Sequence, residues 1–315
     1  MNVALVQLGR IGDMILVTSA IQPIRERYPD ANIYFIAGHS NCNIVENNPD
    51  VRRVLVYDKQ PLKLIRFLIQ LRSLQLDYYI DPKDHFSHES YMLARVANAT
   101  VKIGFNDATH HAFDVSVPSD AENFALHFVE KVANALHPLG IYKAGRPQIV
   151  LDADAVVAVN SFLAKYIVGD KYILINISAS NRTKMWSNAK WIGLIHSLQP
   201  LVSKPIVLSS APDDASDASA ICTATSIYHF PPSKLSLINV LVSRADLLIS
   251  TDTSLVHIAA AFDTPVVALT KNIPWSIARF KPLSSKSQMV IPSIEDGVIE
   301  ELSVEEVLEC VKALL

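Results

Sequence analysis

The stretch LLISTDTSLVHIAAAFDTPVVAL, from Leu247 to Leu269, decides the fold, and the rest of the chain is read outward from it. An apolar run from Ala245 to Ile249 meets Ser250-Thr251-Asp252. Leu255, Val256, Ala259 and Ala260 then repeat at helical spacing, Thr264-Pro265 interrupts, and a second apolar run covers Val266 to Leu269. Short apolar runs bounded by turn residues fit buried parallel strands, so the pattern predicts strand, helix, strand. Asp252 stands where a helix N-cap belongs, which puts Thr253 and Ser254 in the first turn, whose N–H groups have no partner inside the helix. Such a turn attracts anions, phosphate above all. His257, four residues after Thr253, shares a helix face with it near that positive end. A plain cap at Asp252 with a buried, satisfied His257 fits the same letters, so the stretch alone leaves both readings open.

The same alternation runs through the whole chain. Asn2 to Leu8 is a short apolar run, followed by Gly9-Arg10-Ile11-Gly12-Asp13 and a helical stretch from Met14 to Tyr28. This GxxG turn lacks the third glycine of the dinucleotide fingerprint and is not read as an NAD site. Asp13 sits at the helix start, where it either complements the helix dipole or does chemistry at the carboxyl edge of a parallel strand. Strands follow at Asn32–Ala37 and Val54–Tyr57, a helical turn at Asn43–Asn47 and a helix at Leu62–Leu74. The segment Lys59 to Leu76 is basic and amphipathic, readable as an ordinary surface helix or as a face toward anionic lipid or an anionic acceptor. After a strand ending at Ile80, the polar loop DPKDHFSHES carries Asp81, Lys83, Asp84 and His85 at a sheet edge that commonly builds binding sites. Helices at Ser90–Ala97 and Glu122–Leu136 and a strand at Val101–Gly104 complete a first half.

A linker near Gly140–Leu151 divides the chain into domains of residues 1–150 and 151–315. The second half repeats the alternation: helices at Ala153–Tyr166, Ala189–Leu198, Asp213–Thr223 and Leu235–Arg244, and strands at Tyr172–Ile177, Ile206–Leu208 and Ser226–His229. A final helix, residues 304–315, follows an irregular tail and is free to pack on either half. Strands alternating with helices through short connections predict an α/β fold of two doubly wound parallel sheets. By the strand order, the hydroxyl-rich loop Ser178 to Trp186 lies on the same edge as Asp252, which makes Lys184 a candidate partner for the same anion.

Length and composition set outer limits. At 315 residues the chain accommodates two domains with separate cores. A formal charge of −3 gives no nucleic-acid footprint. Cys42, Cys222 and Cys310 are odd in number and widely spaced, so they read as reduced thiols, and neither they nor the His110-His111 pair has metal-ligand spacing. No metal or cofactor is expected. Without a spanning apolar run or a basic leader, the protein is expected to be cytoplasmic.

Three segments together resemble one family: the opening VALVQLGRIGDMILVTSAIQPIRERYPDANI, the loop SASNRTKMWSNAKWIGLI, and LSLINVLVSRADLLISTDTSLVHIAAAFDTPVVAL. They are similar, in order and separation, to the bacterial lipopolysaccharide heptosyltransferases of glycosyltransferase family 9. The resemblance implies a GT-B architecture, two Rossmann-like domains facing across a cleft, with the acceptor bound by the N-terminal domain and the nucleotide-sugar by the C-terminal one. It implies an inverting, metal-independent sugar transfer, heptose from ADP-heptose onto a lipid A-Kdo or core oligosaccharide acceptor, and a peripheral position at the cytoplasmic face of the inner membrane. Asp13 matches the general base. Donor binding falls to Lys184, Ser180, Asp252, Thr253, Ser254 and His257, and acceptor binding to Gly12, Lys83, Asp84 and His85.

The chain departs from the family pattern in its donor half. Ser254 and Ser187 stand where glycine and proline are usual, and Ser209-Ser210 and Thr270-Lys271 stand where a glycine is usual. A hexose or another nucleotide-sugar is the alternative donor within the family. A sugar-nucleotide epimerase and a non-catalytic sugar-nucleotide-binding subunit of envelope assembly are the readings outside it.

Overall fold

A computed structural model describes residues 1–167 and 171–315 and divides into two compact units, residues 1–150 with 278–280, and residues 151–277 with 281–315. The first unit contains β1 (Asn2–Gln7), α1 (Ile11–Val17), α2 (Ile21–Arg27), β2 (Asn32–Gly38), β3 (Val51–Tyr57), α3 (Pro61–Ser73), β4 (Leu76–Ile80), α4 (His88–Val96), β5 (Ala99–Gly104), β6 (Val115–Ser116) and α5 (Phe128–Leu136). Its strands form one parallel sheet in the order β3-β2-β1-β4-β5-β6. The second unit contains α6 (Ala153–Tyr166), β7 (Ile173–Asn176), α7 (Asn188–Leu198), β8 (Ile206–Ser209), α8 (Ala215–Thr225), β9 (Tyr228–Phe230), α9 (Leu235–Arg244), β10 (Leu247–Thr251), α10 (Ser254–Phe262), β11 (Val266–Leu269), α11 (Pro274–Phe280, whose last three residues belong with the first unit), β12 (Ser287–Val290) and α12 (Val304–Lys312). Its sheet, β12-β11-β10-β7-β8-β9, is again wholly parallel.

Read from their own first strands, both sheets have the doubly wound order 3-2-1-4-5-6, whose reversal point lies beside the first strand. That point falls between β1 and β4 in one unit and between β7 and β10 in the other. The loops after β4, β7 and β10 carry Lys83, Lys184 and Asp252, and the helix after β1 carries Asp13 in its first turn. β7, β10 and β11 are buried along their length and β1 from Val3 onward, as expected for strands covered on both faces.

Several elements differ from their expected bounds for identifiable reasons. The first helix starts at Ile11 and is broken by a 3-10 turn at Thr18–Ala20. There the Thr18 and Ser19 hydroxyls donate back to the carbonyls of Ile15 and Leu16, at 2.5 and 2.6 Å, a pattern that bends helices. The expected helix from Glu122 begins only at Phe128, where His127 and Glu130 form a reciprocal capping box. The strand expected from Ser226 begins at Tyr228, because Ser226 is left-handed (φ 55°) and ends α8. The tail beyond Leu269 is not irregular throughout: β12 extends the sheet beside β11. The last helix, α12, buries Val307 and Val311 in the core of the second unit, against α7 and β12.

Gly38 is required by a close approach. A β-carbon there would collide with the Leu8 carbonyl, so β2 ends tight against the turn that leads from β1 to α1.

Candidate functional site

In the first unit the site is built on the turn Leu8–Arg10 after β1. Gly9 N–H donates to Gln7 Oε1 at 2.9 Å, and buried Asn41 donates its side-chain amide to the carbonyls of Gln7 (3.1 Å) and Gly9 (3.0 Å) while accepting from Gly38 N–H at 2.9 Å. Arg10 is the extended N-cap residue of α1, and Asp13 is the third residue of its first turn, where a carboxylate is favoured by the helix dipole. Burial nevertheless raises the Asp13 carboxyl above its ordinary 3.8, and the positive charges of Arg10, Arg279, Lys83 and His85 oppose that rise. The unit thus gathers the expected Lys83 and His85 around the field of Asp13, with Arg10 as an addition.

Asp84 is arranged differently from a ligand-facing residue. It is buried, it accepts from Lys131 Nζ at 2.6 Å and Arg279 Nη2 at 2.9 Å, and His85 Nδ1 lies 3.2 Å away. Burial pushes its carboxyl up, but the hydrogen bonds from His85 and Lys131 and the charges of Arg279 and Lys131 outweigh that and hold it far below the usual carboxylate range. Asp84 therefore fixes the loop from inside, while His85 beside it is more than half exposed. Gly12 is buried in the first turn of α1.

In the second unit a buried polar layer lies where β7 and β10 end. Asn176 donates to Ser178 O and Ser250 Oγ, both at 3.1 Å; Thr251 Oγ1 donates to Ser178 O at 2.6 Å; and Ala211 N–H donates to Ser178 Oγ at 2.6 Å. The loop after β7 is thereby fastened to the ends of β10 and β8. Its far end is anchored by buried Trp186, which donates to Leu302 O at 3.0 Å and packs edge-on to Trp191. Between these anchors, in a 3-10 turn, Lys184 donates to Asp252 Oδ2 at 2.5 Å. Ser180 is exposed in the same loop.

Asp252 is not the helix cap. Thr253 takes that position and accepts from Leu255 N–H at 3.3 Å, because the Asp252 carboxylate is drawn to Lys184 instead. Ser254 is then the first helical residue, and His257 the fourth and buried, with Thr253 in extended conformation ahead of them. The departures cost the backbone nothing: Ser209, Ser210, Ser254, Thr270 and Lys271 all avoid the left-handed region that would call for glycine. Ser187 has a φ of −66°, which proline also adopts, and its N–H, absent in proline, donates to Glu300 Oε2 at 2.7 Å.

The family model for glycosyltransferase family 9 (heptosyltransferase) matches residues 64–311. The chain belongs to glycosyltransferase family 9. This glycosyltransferase is 27% identical over 294 residues to lipopolysaccharide heptosyltransferase 3 of Escherichia coli, covering 84% of each chain. Its fold is similar to that of a family 9 glycosyltransferase from Veillonella parvula (TM-score 0.85, 17% identity, 99% and 96% of the two chains). It is also similar to the E. coli ADP-heptose lps heptosyltransferase II (TM-score 0.79, 18% identity, 100% and 98%). These likenesses give the glycosyltransferase the GT-B fold.

Sequence reasoning missed the residues that hold the site together: Arg10, Asn41, Lys131, Asn176, Ser178 and Glu300. One signal was available for Asn176, and with it for its partner Ser250. Asn176 and Ser250 interrupt otherwise apolar strand runs at their carboxyl ends, where a polar side chain in a buried strand demands a partner. Because burial favours the protonated form of Asp13, its carboxylate forms only as pH rises through the raised value, and removing a neighbouring cation must raise that value further. Carbon-13 NMR titration of the Asp13 carboxyl is expected to give a midpoint above 3.8, moved higher by Arg10→Gln; a midpoint at or below 3.8 in the unaltered chain would contradict this electrostatic account.

Proposed function

We propose that this glycosyltransferase moves a heptose from ADP-heptose onto the inner core of a lipopolysaccharide or lipooligosaccharide, with inversion and without a metal ion. The observation that carries the reading is Asp13, a carboxyl raised by burial at the first turn of α1, beside the reversal point of its sheet. A carboxylate with a raised pKa is a better proton acceptor, as general-base chemistry at an acceptor hydroxyl needs. The names of the relatives, a lipopolysaccharide heptosyltransferase and an ADP-heptose heptosyltransferase, support the donor and acceptor classes.

In this reading residues 1–150 bind the acceptor and residues 151–315 the donor. Asp13 takes the proton of an acceptor hydroxyl as its oxygen bonds to the anomeric carbon, and the C–O bond to the nucleoside diphosphate breaks on the opposite face. Gly12, Lys83 and His85 line the acceptor side, with Asp84 holding their loop from within. The departing diphosphate is met by the Lys184 ammonium, the positive end of α10, the Thr253, Ser254 and Ser180 hydroxyls, and His257. Asp252 keeps Lys184 aimed by the ion pair between them.

The test is product analysis with a panel of nucleotide-sugars and truncated core acceptors in excess chelator. ADP-heptose is expected to be the preferred donor with activity retained. Preference for a hexose donor would move the assignment within the family, and absence of transfer from every donor would overturn it. The donor site is tested by calorimetry with ADP. Lys184→Ala is expected to weaken ADP binding by about 1.5–3 kcal/mol, the scale of hydrogen bonds to charged groups. Ser254→Gly weakens it modestly if the Ser254 hydroxyl is a ligand and strengthens it if the side chain crowds the phosphate. Unchanged affinity in both variants would mean that the diphosphate binds elsewhere.

A further inference from the structure

Helix α3 is amphipathic twice over. Its inward face buries Phe67 and Leu71, with Leu64 and Leu68 packed beside them in the core of the first unit. On the outward side, Leu62, Ile65 and Ile69 are spaced at helical intervals and are 76%, 54% and 64% exposed. On a surface helix that arc is normally polar. Met92 on α4, which packs against α3, is 57% exposed as well.

The outward stripe is bordered by cations. Lys63 and Arg66 lie along one side of it and Arg72 along the other, all exposed. From Lys59 to Ser73 there are four basic residues and no acidic one, in a chain whose formal charge is −3. Lys59 and Lys63 are partly neutralised by Glu89 and Asp58, each at 3.0 Å. Arg72 spends one N–H on Val96 O, and Arg66 makes no ion pair or hydrogen bond among the described residues.

We infer that the outward face of α3 docks on an anionic phospholipid surface, with Leu62, Ile65 and Ile69 entering the headgroup boundary and Lys63, Arg66 and Arg72 meeting lipid phosphates. A helix of 13 residues is about 20 Å long and lies in such an interface rather than crossing it. Charge complementarity selects this occupant. An anionic bilayer satisfies cations on both sides of the stripe at once, whereas a second copy of the helix would bring like charges together. The inference stands apart from the donor and acceptor assignment, because nothing in it depends on which sugar is moved.

The test is co-sedimentation of the full chain with vesicles of phosphatidylcholine alone or containing phosphatidylglycerol, with no sugar substrate present. Binding is expected only to the anionic vesicles, to fall with added salt, and to weaken by about tenfold or more in Ile65→Ser/Ile69→Ser and in Arg66→Glu. All these side chains are exposed, so circular dichroism and melting of the variants are expected to match the unaltered chain. Failure to bind anionic vesicles, or binding that the variants leave unchanged, would overturn the inference. So would a dimer seen by light scattering that Ile65→Ser/Ile69→Ser abolishes in the absence of any vesicle binding.

Discussion

A parallel strand that ends inside a covered sheet leaves polar backbone groups beyond the last rung of its ladder, and these must find partners without water. Both units meet this constraint with a buried asparagine. Asn41 ties the carbonyls after β1 to the end of β2, and Asn176 ties the loop after β7 to the end of β10. The segments that carry Asp13 and Lys184 leave from these two ties. Asp13 stands in the first turn of the helix that follows the first, and Lys184 reaches Asp252 from the loop held by the second. The apolar strands supply the rigid platform, while the asparagines set where its ends point.

The two edges carry different electrostatics. Around Asp13, desolvation is the largest influence and wins against several cations, so the carboxyl is held closer to neutrality than a solvated one. Around Asp84 the balance is reversed: hydrogen bonds from His85 and Lys131 and the charge of Arg279 depress its pKa despite burial. Two aspartates of one unit are therefore held in opposite ways, one nearer to neutrality, the other as an anion fastening a loop. In the second unit Lys184 and Asp252 are both largely buried and joined, a pre-aimed charge pair in place of a mobile surface lysine.

The fold was legible in the sequence because it rests on apolar runs and their spacing, which are local features. The strand at Leu247, the helix after it and the strand at Val266 could be read from letters alone, and so could the positions of Asp13 and Lys184 at strand ends. What could not be read depends on distant partners. Asp252 fits an N-cap by every local rule, yet a lysine 68 positions away in the sequence draws it off and leaves the cap to Thr253. Asp84 looks like a loop residue open to ligand until Lys131 is placed beside it. The strand at Ser287 was illegible because four residues with two polar members carry no periodic signal, and only pairing with β11 defines them.

The central claim is that Asp13 takes a proton during transfer and does not help bind the nucleotide. Turnover and ADP affinity measured side by side for the isosteric Asp13→Asn variant test it most directly. The account predicts a loss of turnover of about 10²–10⁴-fold, the range of general-base catalysis, with the ADP dissociation constant unchanged. Near-normal turnover in that variant, or a loss explained by weaker ADP binding alone, would contradict it.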